Sequence, residues 1–387
     1  MTPKGTSRIV IAGDIIPSGK NIPLFESGNA CQVFGKTICD LFAKADFSIV
    51  NLEGALTDSN NEQEKAGPKI KAPVKSINGL KNLGVKAVAL ANNHVTDYGQ
   101  QGFLDTIHTL FSAGIDYVGA GACINEVKTH LTVSVGNRKV CIYNVSETFF
   151  NAPYANSAGV NLYDEWLVLN EIKELKHSHD YLIVIYHGGA EEFPYPTPLV
   201  KKRFHWMADC GADFITAQHT HCIGCYEIYN NSYLLYGQGN FLFARMKNEI
   251  TKHGLVTVID FKDDDVTINH HSFTVNSEDV MDYDVIQDFS AFNKRNKELF
   301  DDNALYEKYK DYIYNFRLKK RTLKAFHGNT IFVRLLRSFF SKYYTNTYLE
   351  NYTKEQLLRI KFSIGSDRCS EDLSTLFTYM IEKKMNK

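Results

Sequence analysis

The chain has 387 residues, of which 44% are hydrophobic and 22% are charged, so it can bury a sizeable core as one large domain or as two. Its formal net charge of −1 gives no indication of a nucleic-acid partner. No apolar run approaches the roughly 20 residues that a membrane-spanning helix requires, and the N-terminus shows no signal-peptide pattern. The eight cysteines are scattered and are expected to be reduced thiols. These features predict a soluble, cytoplasmic protein.

Short runs of aliphatic and β-branched residues recur, each followed by a polar turn and then a helical pattern. Continuous apolar runs of this kind are typical of strands buried on both faces. After the third run, Phe103, Ile107 and Leu110 lie on one face of a predicted helix that ends at Gly114. The alternation continues to about residue 245 and predicts a layered α/β domain. The runs are RIVIAG (8–13), FSIVNLEG (47–54), VKAVALANN (85–93), YLIVIYHGG (181–189), ADFITAQ (212–218) and SYLLYGQGN (232–240).

The pattern changes beyond residue 245. GLVTVIDF (254–261) and VTINHHSFTV (266–275) predict a β-hairpin around the turn at Asp263–Asp265. From about residue 286 aromatic-rich helical stretches take over, and a final helix is expected near 370–384. We therefore predict a domain of residues 1–280 followed by a helical C-terminal extension of residues 281–387.

Carboxylate, amide and imidazole side chains stand where the predicted strands end. In α/β sheets a binding site lies beyond the carboxyl ends of the strands, so these side chains are expected to converge. Such ligands suit hard or borderline divalent metals, and two neighbouring metals need one bridging carboxylate and several terminal ligands. A bend in the backbone between the last two histidines would let each reach a different ion. The predicted metal ligands are Asp14, Glu53, Asn93, His187, His219 and His221.

Five sequence blocks between residues 7 and 245 carry these side chains: GDIIPSG, VNLEGALTD, ANNHVTDYG, YHGGAEEFPYPTP and GADFITAQHTHCIGCYEIYNNSYLLYGQGNFLF. In this order they resemble the blocks of the CapA family of poly-γ-glutamate capsule biosynthesis proteins, which share the calcineurin-like metallophosphatase fold. The resemblance implies a four-layer α/β/β/α sandwich that binds two divalent metal ions, with Mn, Zn and Fe as candidates. It does not cover the C-terminal extension.

The resemblance also implies a role for each residue. Asp14 corresponds to the first metal-binding aspartate and Glu53 to the bridging carboxylate. Asn93 corresponds to the amide ligand of an Asn-His motif, and His94 to the catalytic histidine of that motif. The remaining metal ligands correspond to His187, His219 and His221.

Two positions depart from the usual metallophosphatase pattern. Asp14 is followed by Ile15 and Ile16 where the pattern is Asp-x-His, so one ligand is missing. The bridging position holds Glu53, where an aspartate is common. These departures predict that one of the two metals is weakly bound.

Further residues are expected to act close to the metals. His94 is a candidate general acid, or an electrophilic group facing the charge that develops on a phosphoryl group. Asp97 either fixes the tautomer of His94 by accepting a ring proton or caps the helix that begins near Gln100. Glu191 either contacts a substrate or forms a salt bridge within its loop, and Asn240 is expected on the substrate side.

Two local motifs are interpreted more simply. Cys222 and Cys225 form a single CxxC pair directly after the histidines, and buried thiols are favoured over a zinc site because no second pair follows. Gly237-Gln238-Gly239-Asn240 indicates a tight turn, since no dinucleotide-binding or P-loop pattern occurs.

Together these observations predict a metal-dependent hydrolase of the phosphoesterase type, linked to the biosynthesis of a capsule or surface polymer. The alternative is a non-hydrolytic accessory protein that binds poly-γ-glutamate or another anionic polymer. Residues 317–342 hold eight basic and no acidic residues among large apolar ones. This segment is either a packed helix with a solvated basic face or a docking surface for anionic lipid or polymer at the inner membrane face.

Overall fold

A computed structural model gives the structure of the protein and describes residues 5–65, 67–147, 157–243, 248–275, 281–282, 290–314 and 375. The strands are β1 (Ser7–Ile16), β2 (Phe47–Leu52), β3 (Ala55–Leu56), β4 (Lys71–Ala72), β5 (Ala87–Ala89), β6 (Asp116–Val118), β7 (Ala120–Gly121), β8 (His130–Val135), β9 (Arg138–Ser146), β10 (Gly159–Val160), β11 (Tyr181–His187), β12 (Phe214–Gln218), β13 (Tyr226–Tyr229), β14 (Ser232–Leu235), β15 (Asn240–Phe243), β16 (His253–Lys262), β17 (Asp265–Val275) and β18 (Met281–Asp282). The helices are α1 (Ile22–Ser27), α2 (Ala30–Ala43), α3 (Ile77–Leu83), α4 (Gly99–Ala113), α5 (Glu165–His177), α6 (Pro198–Asp209), α7 (Ser290–Glu298) and α8 (Asp302–Tyr312).

Most of the strands form two large sheets. The first sheet has the order β18-β17-β16-β1-β2-β5-β6, with β15 added beside the end of β1. Within it β1, β2, β5 and β6 are parallel, and β16 is antiparallel to β1. The second sheet has the order β13-β14-β12-β11-β9-β8, with a parallel centre and antiparallel edge strands. The parallel strands of each sheet therefore direct their carboxyl ends to one edge.

Alternate residues of the central strands pack on opposite faces of the first sheet. In β1, Ile9 and Ile11 belong to the core that the two sheets share, together with Ile183 and Phe214 of the second sheet. Val10 of the same strand belongs to a second core, formed with the helices on the outer face. This period of two follows from strand geometry, and it explains why the strand sequences are continuously apolar.

Helices cover the outer face of each sheet. Buried residues of α2, α3 and α4, among them Phe34, Leu80 and Phe103, pack in the outer core of the first sheet. On the second sheet α5 contacts β9 and β11, and α6 contacts β12. The order of layers is thus helix, sheet, sheet, helix, and the predicted α/β/β/α sandwich is confirmed.

The hairpin predicted after residue 245 is also confirmed. Strands β16 and β17 pair antiparallel from His253–Thr274 to Lys262–Asp265. The predicted strand at 85–93 is shorter than expected, because β5 spans only Ala87–Ala89. The chain leaves the sheet there, and the side chain of Asn92 accepts hydrogen bonds from the backbone N–H groups of the next turn, His94 and Val95.

The chain separates into two units. One contains Met1–Gln63 and Lys69–Asp301, and the other contains Glu64–Pro68 and Asp302–Lys387. In the second unit, Leu305 and Tyr309 of α8 are buried. The boundary near residue 280 stays a prediction, and the helix expected near 370–384 lies almost wholly outside the described residues. Within the described part of the chain, no helix has the length and apolar character needed to cross a membrane.

Candidate metal centre

The predicted ligands meet where the two sheets direct the ends of their parallel strands. Asp14 lies in β1 at the point where the strand partner on one edge changes from β16 to β15, and Glu53 directly follows β2. Asn93 comes after β5, and His187 is the last residue of β11. The histidine pair His219 and His221 follows β12. The structure therefore brings all six residues together from two different sheets.

The carboxylate of Glu53 occupies the middle of this cluster. Its Oε1 lies 3.5 Å from His187 Nε2, 3.9 Å from His219 Nδ1 and 3.8 Å from His221 Nε2. Glu53 is fully buried, and among the described residues neither of its oxygens accepts a hydrogen bond. A buried carboxylate without donors is strongly destabilising. The surroundings of Glu53 therefore suit a carboxylate that binds a cation, since a cation would offset the cost of burying its charge.

Two possible ligand groups share Glu53. The first is Glu53, His187 and His219, whose nearest ligand atoms all lie within 4.8 Å of one another, and the second is Asp14, Glu53 and His221. Asn93 belongs with the first group, because its Oδ1 lies 2.8 Å from His187 Nε2. Oxygen and imidazole donors in two groups with a common carboxylate suit two neighbouring divalent ions.

The backbone bends sharply at the histidine pair. His219 and His221 have φ values of 85° and 53°, in the left-handed region that residues other than glycine rarely adopt. Such strained positions cluster at functional sites, where the surrounding structure holds them. On a straight strand, residues two apart point to the same face but are displaced along the strand. The bend brings both imidazoles toward Glu53.

Asparagine side chains hold several ligands in place. Asn51 donates from Nδ2 to Asp14 Oδ1 over 2.7 Å, and the same atom lies 3.2 Å from His187 Nδ1. Asn240 donates from Nδ2 to the carbonyl oxygen of Thr251, so its Oδ1 accepts from His221 Nδ1 over 2.8 Å. This arrangement places the proton of His221 on Nδ1 and leaves Nε2 facing Glu53, as a metal ligand requires.

Asp14 and His221 each shift the pKa of the other in favour of its charged form. Burial alone would raise the pKa of Asp14, but the hydrogen bond and charge of His221 hold that pKa below its usual value. Burial would lower the pKa of His221, but the carboxylates of Glu53 and Asp14 raise the pKa of His221 to about 10. In the metal-free protein His221 is therefore protonated at neutral pH, and a metal ion must displace that proton.

His94 and Asp97 form a buried pair beside the predicted ligands. His94 Nδ1 donates to Asp97 Oδ2 over 2.6 Å, and the backbone N–H of Ile70 donates to the same oxygen over 2.7 Å. Helix α4 begins at Gly99 after Tyr98, and no side chain caps it. Of the two roles considered for Asp97, the geometry favours fixing the tautomer of His94, since Asp97 makes the ring contact and does not cap α4.

The remaining predicted residues surround the centre. The Oε1 of Glu191 lies 3.7 Å from His219 Nε2, and its side chain is 38% exposed, so it stands at the open side of the site. Asn240 is buried behind His221 with its amide bonded as described. Their roles toward a substrate stay predictions. The sequence pattern assigned no role to Asn51 or Asn92, although both stand at strand ends like the predicted ligands.

The two local motifs agree with the simpler interpretation. Cys222 and Cys225 are buried, and burial raises the pKa of the Cys222 thiol to about 12. Neither thiol belongs to a possible metal-binding cluster among the described residues. Gly239 has a φ of 72°, and a Cβ there would lie 2.6 Å from the carbonyl oxygen of His253. The turn therefore needs glycine for both conformation and space.

Ile16 occupies the position at which the Asp-x-His pattern has a histidine ligand. Ile16 is fully buried, and its Cδ1 would lie 2.9 Å from a Cβ placed on Gly54, the residue after Glu53. The side chain belongs to the outer apolar core of the first sheet and carries no atom that can bind a metal.

Comparison with known proteins places these residues in a family context. The family model described as "Bacterial capsule synthesis protein PGA_cap" matches residues 8–245. The capsule biosynthesis protein CapA of Bacillus anthracis is 27% identical over 244 residues, which are 61% of this chain and 59% of that protein. The PGA biosynthesis protein CapA of Bacillus subtilis strain 168 is 28% identical over 236 residues, 60% of this chain and 62% of that protein. The match thus spans about three fifths of these relatives.

Solved structures show more distant similarity. A novel phosphatase from Mycoplasma pneumoniae is 17% identical, with a TM-score of 0.45, over 74% of this chain and 99% of that one. A hypothetical protein from Thermus thermophilus is 15% identical, with a TM-score of 0.44, over 69% of this chain and 99% of that one.

Proposed function

The chain belongs to the bacterial capsule synthesis protein family, as its sequence blocks predict, and we propose that it is a metal-dependent hydrolase of phosphoesters or related bonds. In this proposal it acts in the metabolism of an anionic cell-surface polymer. The supporting observation is Glu53, a buried carboxylate without hydrogen-bond donors among the described residues, which stands between two groups of possible metal ligands. A buried carboxylate that accepts no hydrogen bond contributes little to folding stability. The position of Glu53 in both groups suits a ligand that two ions would share.

Each group at the site has a role in this proposal. His187, His219 and Asn93 would hold one ion with Glu53, and Asp14 and His221 would hold the other with the same carboxylate. Bound divalent ions would supply Lewis-acid activation of water and neutralisation of phosphoryl charge. His94 transfers a proton through Nε2, Asp97 fixes the His94 tautomer from Nδ1, and Glu191 faces the substrate.

The second candidate function is a non-hydrolytic accessory role in which the site binds an anionic polymer such as poly-γ-glutamate. Ile16 favours it, because an isoleucine at the histidine position of the Asp-x-His pattern would leave the Asp14 ion with a reduced ligand set. One relative, 28% identical over half of this chain, is named "Probable polyglutamine synthesis accessory protein", from Mycobacterium tuberculosis. A site that keeps one ion firmly and the other weakly could bind carboxylates without cleaving a bond.

An activity screen separates the two functions. The purified protein is loaded with Mn²⁺, Zn²⁺ or Fe²⁺, and its metal content is measured before assays with p-nitrophenyl phosphate and bis-p-nitrophenyl phosphate. Metal-dependent turnover that Glu53→Gln abolishes supports the hydrolase. Bound metal without turnover above that of Glu53→Gln, together with metal-dependent binding of poly-γ-glutamate, supports the accessory role. Absence of bound metal under all conditions contradicts both.

Location at the inner membrane face is a separate part of the proposal. It depends on residues 317–342, which lie outside the described residues. The basic and apolar composition of this segment is its support. Equal co-sedimentation with phosphatidylserine-containing and neutral vesicles at low salt would rule out the lipid contact.

A further inference from the structure

Helix α7 (Ser290–Glu298) lies beyond residues 8–245, which the family model matches. It nevertheless packs against the two segments that follow the histidines of the metal centre. We infer that α7 is a brace for this centre, and that Arg295 and Glu298 are positioning residues for the loops that carry His221 and Glu191. The inference rests on the proposed function, because it concerns the same site.

The first contact of the brace is with the segment after His221. Arg295 donates from Nε to the carbonyl oxygen of Gly224 over 2.8 Å, and Asn296 Oδ1 accepts from the backbone N–H of Tyr226 over 2.8 Å. On its other side Gly224 is crowded, since a Cβ there would lie 2.8 Å from the backbone nitrogen of Gly237. The segment is thus held from both sides, three residues after His221.

The second contact is with the segment after His187. Tyr195 donates its hydroxyl hydrogen to Glu298 Oε2 over 2.5 Å, and Lys201 Nζ donates to the carbonyl oxygen of Leu299 over 3.0 Å. The same segment carries Glu191, which faces His219. The neighbouring Glu192 donates its backbone N–H to the carbonyl oxygen of Thr220, between the two histidines. This hydrogen bond ties the start of the Tyr195 loop to the residue between the two histidines.

Apolar packing anchors α7 to the body of the protein. Phe292 is buried and stacks on Tyr226 with ring centroids 5.3 Å apart, and it meets the ring of His270 edge-on at 5.9 Å. Leu299, directly after the helix, is fully buried. Removing large apolar side chains from water stabilises the packed position of the helix. The helix is therefore fixed firmly enough to constrain the loops that it contacts.

The brace has a specific consequence for the Asp14, Glu53 and His221 group. Ile16 stands where the Asp-x-His pattern has a further ligand for that group. The geometry of the group therefore depends on how well its other members are held. Residues that orient metal ligands typically change metal affinity by about 10–100-fold when they are lost. We expect Arg295 to affect this ion more than the other, because its hydrogen bond is to the carbonyl oxygen of Gly224, three residues after His221.

The test compares variants of the 387-residue chain by Mn²⁺ titration calorimetry. His221→Ala assigns the binding step that belongs to the Asp14 group. Arg295→Ala should weaken that step by about 10–100-fold and leave the other step within about threefold, while Arg295→Lys should recover part of the affinity. Lys297→Ala, on the same helix, is the matched control and should change neither step. Equal weakening of both steps by Arg295→Ala, or no change in either, would overturn the inference.

Hydrogen exchange provides a readout that does not depend on metal. In the metal-free protein, Arg295→Ala should accelerate exchange in residues 219–226 and leave residues 190–197 unchanged. Tyr195→Phe, which removes one hydroxyl group, should produce the opposite pattern. If the wild-type protein binds no metal, the proposed function fails, and these patterns still decide whether α7 braces the loops. Uniform acceleration in both segments, or none, would show that it does not.

Discussion

Replacing Glu53 by glutamine is the sharpest test of the metal centre. The substitution keeps the size of the side chain and removes its charge. Because neither oxygen of Glu53 accepts a hydrogen bond from the described residues, no donor among those residues loses its acceptor through the change. We expect the metal-free variant to be nearly as stable as the wild type and to have lost its stabilisation by metal.

The structure gives the size of both effects. His221 Nε2 lies 3.8 Å from Glu53 Oε1, and opposite charges at that distance attract by about 4 kcal/mol at an effective dielectric constant of 20. Removing the carboxylate loses this attraction but recovers a desolvation penalty of several kcal/mol, roughly the same size. With metal at about one hundred times Kd, each ion stabilises the wild type by about 2.7 kcal/mol. For two ions this corresponds to a rise in Tm of about 7–9 °C, at an unfolding entropy of about 2.1 cal/mol/K per residue.

The assay is thermal unfolding with and without Mn²⁺, and Glu227→Gln is the matched control. Glu227 is also buried, but its Oε1 accepts hydrogen bonds from His205 Nε2 over 2.7 Å and from the Tyr236 hydroxyl over 2.6 Å. Glu227→Gln should lower the stability of the metal-free protein by about 1–3 kcal/mol and keep the metal-dependent rise. A Glu53→Gln variant that behaves like this control would refute the reasoning, because Glu53 would then be a structural carboxylate.

Three further predictions concern other residues. His94→Ala should retain bound metal and lose about 10²–10⁴-fold in the rate of phosphoester hydrolysis; an emptied site by metal analysis would instead make His94 a ligand. Asn240→Ala should weaken the metal step assigned to His221 by about 10–100-fold in calorimetry, and unchanged affinity would contradict its orienting role. Burial lowers the pKa of His270 to about 4. Between pH 6.5 and 4 the unfolded chain therefore binds a proton that the folded protein does not, and stability falls as pH falls, by at most about 3 kcal/mol. Urea unfolding of His270→Gln should show a weaker loss over this interval, and an identical slope would exclude His270 as its source.

Local sequence patterns predict the strands and the gathering of ligands well. The apolar runs are buried on both faces because each sheet has a helical layer on one side and the other sheet on the opposite side. Asp14 and Glu53 could be predicted as neighbours, since parallel strands of an α/β sheet present their ends at one edge. These predictions need only the order and the type of the elements.

Contacts between segments far apart in the chain could not be predicted in this way. The pairing of β15 with β1 places Asn240 beside Asp14, and nothing near Asn240 in the sequence indicates that its amide accepts from His221. Arg295 likewise contacts Gly224 across 71 positions of the chain. Such contacts depend on packing of whole elements, for which a single sequence carries no periodic signal.

The residues of the candidate metal centre come from both sheets, so their geometry depends on how firmly the sheets are held together. Gln218 of β12 donates from Nε2 to the carbonyl oxygen of Ala12 in β1 over 3.2 Å and to Gln238 Oε1 over 3.1 Å. Gln238 donates in turn to the carbonyl oxygen of Ile11 over 2.7 Å. Asp14 follows Ala12 by two residues, and the histidine pair begins directly after Gln218. Because buried amide hydrogen bonds are strongly directional, these two glutamines fix β12 against β1 at the level of the site. The sequence shows them as polar residues among apolar strands, and their position between the sheets explains why they are there.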